Sequence, residues 1–141
     1  MFYGLKTEVV DGKVMCTCRD IPECVYDAPT VEEGEKFAAQ AFPAALELFY
    51  RRKRAIIPLP SPLQEGEIPI RVPTRVQGKI LLWNYMIENR YRLSDLSRLL
   101  NISATQVQRF VDLSKDGASM EAIDDALDVL GAHFTLTLQK R

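Results

Sequence analysis

Apolar and polar positions along this chain follow two different periods, and the switch between them divides it. Residues 2–10 and 13–19 read as strands, and the Asp11-Gly12 dipeptide between them favours the positive φ angles of a tight hairpin turn. Asp20-Ile21-Pro22-Glu23 interrupts the second strand, because proline cannot donate to a ladder, and Cys24 to Ala28 can form a short third one. At Thr30 the period becomes helical: Val31, Phe37, Ala38, Ala41, Phe42, Ala45, Leu46, Leu48 and Phe49 recur at helix spacing. Thr30 and Glu33 have the spacing of a capping box. Pro43 inside this pattern is expected to kink the helix or split it in two. Residues 55–67 hold three prolines and a glycine and predict irregular chain, after which Ile68 to Val72 reads as a short, edge-type strand.

Pro73-Thr74 marks a boundary. Four helical patterns follow, at about 75–89, 93–100, 104–113 and 120–130, and Gly131 sits where a helix-ending glycine belongs. His133 to Gln139 then alternates, with Phe134, Leu136 and Leu138 on one face, and predicts a strand without a neighbour in its own domain. The expected fold class is α+β. A β-β-β-α-β domain over residues 1–72 precedes an all-α helix-turn-helix domain over residues 73–141 that ends in a C-terminal strand.

The helix-turn-helix reading rests on residues 93–113, LSDLSRLLNISATQVQRFVDL. A small residue is needed where the helices cross, and Ser97 meets that need. The turn needs a left-handed backbone, which asparagine tolerates better than any residue except glycine; Asn101 is there. Leu96, Leu100, Ile102, Val107 and Phe110 supply the buried contacts. Ser103 can cap the second helix, which leaves Ala104, Thr105, Gln106, Gln108, Arg109 and Asp112 for its start and outward face. Arg109 can pair with guanine, Gln108 with adenine, and Ala104 and Thr105 can meet a thymine methyl. Arg90, Arg92 and Arg98 are expected nearer the phosphates.

A formal net charge of −1 does not oppose this reading, because it averages unlike regions. Residues 1–72 carry nine basic and eleven acidic side chains, whereas residues 75–115 carry seven basic against three acidic. Five acids follow between Asp116 and Asp128. Charges beyond about 10 Å are screened, so the local positive excess is what DNA would meet. One such module touches few bases, so a homodimer or higher oligomer is expected, with the orphan strand 134–138 pairing to its copy.

Other features take plainer readings. Cys16, Cys18 and Cys24 are expected to be small buried thiols, since His133 is the only histidine and a zinc site needs about four ligands. His133 itself is expected to be structural, Trp83 and Tyr85 to pack the helix-turn-helix core, and Arg51-Arg52-Lys53-Arg54 to be a solvated helix terminus. No apolar run approaches membrane length. With no signal peptide pattern either, a cytoplasmic location is expected.

Nearly the whole chain resembles the HicB family of antitoxins, in the form with a C-terminal helix-turn-helix. The resemblance is carried by the hairpin leading to Asp20-Ile21-Pro22-Glu23, by Ala28-Pro29-Thr30-Val31-Glu32-Glu33, by Ile57-Pro58-Leu59-Pro60-Ser61-Pro62, by the strand Ile68–Val72 and by the module after it. It implies that residues 1–72 resemble a partial RNase H fold and bind a small HicA-like toxin that cleaves mRNA. It also implies that the complex represses its own operon by binding operator DNA. Asp20, Glu23 and Tyr26 are candidates for the toxin-facing surface. Two-metal nuclease chemistry would need convergent carboxylates. Asp11, Asp20 and Glu47 do not supply such a set, so neither a metal nor a cofactor nor an enzymatic activity is expected. A stand-alone repressor with a ligand-sensing N-terminal domain is the alternative.

Overall fold

Asp11 and Gly12 both adopt positive φ (52° and 77°), the geometry that closes a two-residue hairpin. They join β1 (Phe2–Val10) to β2 (Lys13–Cys18), which pair antiparallel with Val10 opposite Lys13 and Leu5 opposite Cys18. The computed structural model describes residues 1–140. Strand β3 (Ile21–Ala28) is longer than expected, because Ile21 and Pro22 belong to it; a register shift at Thr17/Cys18 lets the chain turn there. Pro22 is tolerated because β3 is an edge, and Pro69 in β4 (Ile68–Arg71) lies on the opposite edge of the antiparallel order β3-β2-β1-β4.

Helix α1 (Val31–Leu46) begins at Thr30, whose side chain accepts the Glu33 N–H at 3.1 Å. Only this half of the expected capping box forms. Gly34, Ala38, Phe42, Ala45 and Leu46 make the stripe that seats α1 on the sheet, over Tyr3, Leu5, Cys16 and their neighbours. Gly34 is required there: a Cβ would lie 2.6 Å from the Cys16 sulfur. Pro43 does not split the helix. The irregularity comes four residues later, as a π-helical turn over Glu47–Arg51 in which the Arg52 N–H bonds the Glu47 carbonyl at 2.9 Å. Pro43 removes one N–H from the ladder, and the surrounding stripe of buried contacts outweighs that single loss.

The proline-rich run 55–67 is irregular, as expected, yet it is pinned from both sides. Asp20 accepts the Ser61 N–H at 2.9 Å, and the Arg19 guanidinium binds the Pro62 carbonyl and Glu67 at 3.0 and 3.1 Å. On the other side Asn84 both accepts from and donates to the Ile57 backbone, at 2.8 and 2.9 Å.

Four helices follow: α2 (Thr74–Glu88), α3 (Leu93–Leu100), α4 (Ala104–Gln108) and α5 (Met120–Val129). Gly131 stands at φ 89° just past α5, as its position predicted. Helix α4 is shorter than the expected 104–113. Beyond Gln108 the chain tightens into i→i+3 bonds, Phe110 to Val107 and Val111 to Gln108. Two outside partners redirect it there: Glu47 accepts the Leu113 N–H at 3.0 Å, and the Lys79 ammonium bonds the Asp112 and Lys115 carbonyls at 2.9 and 2.7 Å.

The expected C-terminal strand is absent from the chain alone. Residues 132–140 are irregular, with Phe134 half-buried and its N–H held by Asp124, while Leu136 and Leu138 are 90% and 98% exposed. A strand needs a ladder partner, and both edges of the one sheet among the described residues lie in the first 72 residues.

Candidate nucleic-acid interface

Two local devices hold the helix pair α3–α4. Asn101 takes the left-handed conformation (φ 54°, ψ 48°), and the Ser97 hydroxyl donates to the Ile102 carbonyl across the turn. Leu96 and Val107 are fully buried; Leu100, Ile102 and Phe110 are half-buried against the same core. At the start of α3 the Asp95 carboxylate accepts the Arg92 N–H at 2.8 Å. That hydrogen bond, aided by Arg98 and Arg92, holds the carboxyl of Asp95 below its usual range.

Helix α4 opens with a full capping box. Ser103 accepts the Gln106 N–H at 3.2 Å, and the Gln106 side chain accepts the Ser103 N–H at 3.1 Å. These two residues therefore have a structural task first. Ala104, Thr105, Gln108 and Arg109 are exposed, and Thr105, Gln108, Arg109 and Asp112 line one groove together with Lys115, Asp116 and Gly117. Arg109 packs its aliphatic stem beside Gly117, where a Cβ would lie 3.2 Å away. The charged head is thereby carried on a supported stem. Arg90 and Arg92 are exposed at the connection from α2 to α3, and Arg98 is exposed on α3 with an ion pair to Asp95 at 3.2 Å.

The positive field is composed differently from the expected one. Lys79 is fully buried and bonded to two carbonyls; burial pulls its ammonium below the ordinary lysine range, opposed by Asp112. Arg75 donates to the Asp116 carbonyl at 2.6 Å. The first half of the chain reaches this region through Arg51. Arg51 sets its guanidinium 5.7 Å from the Trp83 ring centroid and donates to the Gln108 side-chain oxygen at 3.3 Å. It is also ion-paired to Glu47, which is 2% exposed and accepts from the Arg52 Nε at 2.9 Å as well. Arg51 is thus buried rather than a solvated helix terminus. Trp83, 3% exposed with its indole N–H on the Ala55 carbonyl at 2.8 Å, packs at the junction of sheet and helices. Tyr85 does serve the helical part, donating to the Leu130 carbonyl at 2.9 Å and stacking on Tyr91. The only hint of this junction in the sequence is the i,i+4 spacing of Glu47 and Arg51.

Burial sets Asp112 against ionisation, but hydrogen bonds from Ser114 and the nearby Arg51 and Arg52 more than offset it and keep the carboxyl low. The groove beside α4 therefore carries two acids, Asp112 and Asp116, among the cations Arg109 and Lys115.

The candidate residues on the sheet all hold neighbouring elements. Asp20 accepts from Ser61, Glu23 accepts from the Tyr50 hydroxyl, and Tyr26 donates to the Gly34 carbonyl at 2.6 Å. Burial and the Glu23 hydrogen bond push the Tyr50 phenol up to about 12. Burial likewise raises the Tyr26 phenol. The three cysteines are free and buried, as expected. No helix among the described residues is long and apolar enough to cross a membrane.

Comparison with known proteins bears on both halves. A family model described as the HicB-like antitoxin of bacterial toxin–antitoxin systems matches residues 4–81, and one described as a Cro/C1-type helix-turn-helix DNA-binding domain matches residues 81–133. Antitoxin HicB 2 of Photorhabdus laumondii is 34% identical over 83% of this chain and 81% of its own length. Antitoxin HicB of Pseudomonas fluorescens is 29% identical over 97% and 93%, and Antitoxin HicB of Escherichia coli K12 is 30% identical over 94% of each. The chain belongs to the family of HicB-like antitoxins of bacterial toxin–antitoxin systems, and it joins that domain to a Cro/C1-type DNA-binding helix-turn-helix.

Proposed function

We propose that this chain neutralises a small HicA-like, mRNA-cleaving toxin by binding it through residues 1–72. Through residues 73–141 it represses its own operon by binding operator DNA. The observation that carries this reading is the union, in one chain, of a HicB-like domain with a helix-turn-helix whose Ala104, Thr105, Gln108 and Arg109 are exposed. The action is binding and not catalysis: Glu47, the acid within the helix region, is already bonded to Arg51, Arg52 and Leu113, and Asp20 to Ser61. The element order β-β-β-α-β supports the likeness of residues 1–72 to part of an RNase H fold. Asp20, Glu23 and Tyr26 remain our candidates for the toxin-facing side, beside the open edge of β3 where Val25 is exposed.

On the DNA, Ala104, Thr105, Gln108 and Arg109 read base edges. Ser103 and Gln106 shape the helix start, and Arg90, Arg92 and Arg98 meet phosphates. The working unit is a homodimer or higher oligomer joined by residues 134–138, whose alternating Leu136 and Leu138 stand in solvent. Sedimentation of a chain ending at Gly131 tests this: dimerisation unchanged by the truncation would refute it.

The test of the whole is co-expression with the neighbouring reading frame, purification of the complex, and titration onto the DNA upstream of the operon. A stable complex that relieves mRNA cleavage and binds this duplex over a scrambled one is expected. Arg109→Ala should weaken operator binding by about 1–3 kcal/mol and relax one base position. Arg98→Ala should weaken all sequences alike and flatten the salt dependence. Failure to capture or silence the neighbouring protein would overturn the antitoxin half, and the absence of operator preference the repressor half.

A further inference from the structure

We propose that the turn Arg52–Lys53–Arg54, which belongs to the HicB-like half of the chain, is a second DNA contact that grips the phosphate strand bordering the groove read by α4. The proposal rests on the operator-binding reading above and assigns part of that binding outside the helix-turn-helix.

Placement is the first argument. Arg51 touches Gln108 at 3.3 Å, and Glu47 holds the Leu113 N–H at 3.0 Å, so the turn starts against the C-terminal half of the recognition face. Three further residues span at most about 10 Å, so Arg52, Lys53 and Arg54 stay beside that face. In a helix-turn-helix complex the N-terminal residues of the recognition helix meet base edges. Gln108, about one turn on, reads the end of that site nearest the phosphates, and the turn that flanks Gln108 lies on the backbone side of it.

Charge and rigidity are the second. The sequence from Arg51 to Arg54 is uniformly basic. Arg51 and Glu47 neutralise each other in the interior, so the outward charge comes from Arg52, Lys53 and Arg54, all exposed. Arg52 is held at its Nε by Glu47, leaving the far side of its guanidinium free to donate. Lys53 rests 5.6 Å from the Phe49 ring centroid, and Arg54 takes φ 57°, a left-handed corner that ends the π turn. Cations presented from an anchored turn lose little freedom on meeting a phosphate. With Lys79 buried, the helical half alone offers DNA one charge fewer than its sequence suggests. This turn restores it. Asp112 and Asp116 are the acids lining the groove beside α4, and the nearby Arg51 and Arg52 favour the charged form of Asp112.

The test uses the full chain and compares wild type with Lys53→Gln/Arg54→Asn. Asparagine tolerates the left-handed corner at position 54. Binding to the duplex upstream of the operon and to a scrambled duplex is measured from about 0.05 to 0.5 M salt. Each phosphate contact contributes about −0.9 to the slope of log K against log salt, so losing two should flatten it by about 1.8 per chain bound. If the affinities converge near 1 M salt, that is roughly a 30-fold loss at 0.15 M, equal for both duplexes. Lys53→Arg/Arg54→Lys should restore the slope, which separates charge from folding. An unchanged slope, in a protein whose operator preference Arg109→Ala still relaxes, would overturn this proposal and leave the repressor reading standing. A wild-type chain that binds neither duplex would overturn both. Loss of the toxin complex with an unchanged DNA slope would assign the turn to the protein partner and overturn the proposal too.

Discussion

Replacing Glu47 with alanine should be among the most destabilising single changes in this protein. The carboxylate is 2% exposed and accepts from the Arg51 Nε at 2.6 Å, the Arg52 Nε at 2.9 Å and the Leu113 N–H at 3.0 Å. Its removal strands the Arg51 guanidinium, itself 8% exposed, against the Trp83 ring. Breaking a buried pair from one side costs about 3–5 kcal/mol. An orphaned backbone N–H costs about 1–3 kcal/mol more, part of which water entering the vacated space can recover. A net loss of about 4 kcal/mol is expected. Total stability for 141 residues is of the order of 7–20 kcal/mol, so a substantial fraction disappears. Urea and thermal unfolding followed by the fluorescence of Trp83, the only tryptophan, would read this directly. The midpoint should fall by about 12–16 °C. Glu47→Ala/Arg51→Ala should cost well under the sum of its single changes, with a coupling of about 2 kcal/mol or more. Glu47→Leu/Arg51→Met should recover most of the loss, because no buried charge is then left unpaired, and fall short of wild type by about the 1–3 kcal/mol of the unpaired Leu113 N–H. A Glu47→Ala loss below about 1 kcal/mol, or strict additivity with Arg51→Ala, would refute the reasoning.

Three further outcomes test other parts of the fold. Gly34→Ala sets a Cβ 2.6 Å from the Cys16 sulfur, so overpacking of about 1–3 kcal/mol should exceed the roughly 1 kcal/mol gained in helix propensity; a raised melting midpoint would mean that α1 does not seat on β2 there. Asn101→Ala should cost about 1–2 kcal/mol in urea unfolding, because its φ of 54° is left-handed, whereas Asn101→Gly should be close to neutral; equal costs would locate the effect in the side chain. Burial raises the Cys24 thiol from 9.0 to about 11. Its neutral form is the one the fold favours, so its contribution to stability is complete below pH 9 and is lost as pH climbs toward 11. Cys24→Ala should flatten that alkaline decline, and at pH 8 a thiol reagent should modify the three cysteines only after unfolding; prompt labelling of the native protein would contradict their burial.

The elements whose cause is local were legible in the chain. Asp11-Gly12, Thr30, Asn101, Ser103 and Gly131 act through their own backbone angles or through residues three positions away, so spacing alone located the hairpin, the helix starts and the αL turn. Hydrophobic period placed α3 to the residue and α2 and α5 within one residue, whereas α4 ended early and the pattern of α1 ran on into the π turn. Sequence likewise picked out the exposed residues at the start of α4. The early end of α4, the burial of Lys79 and Arg51, and the place of Trp83 were not legible. Each depends on a partner 28 to 66 positions away: Ala55 for Trp83, Asp112 and Lys115 for Lys79, Glu47 for Leu113. Periodicity carries no record of such pairings, and charge counting treats a buried lysine and an exposed arginine alike. The strand expected at His133–Gln139 failed for a related reason, since alternation describes a face and only a neighbouring strand can supply its ladder. Local backbone chemistry determined the elements and their ends. Tertiary packing decided which cations are left to face DNA, because whether a charge is usable depends on the partners and solvent that the fold leaves around it.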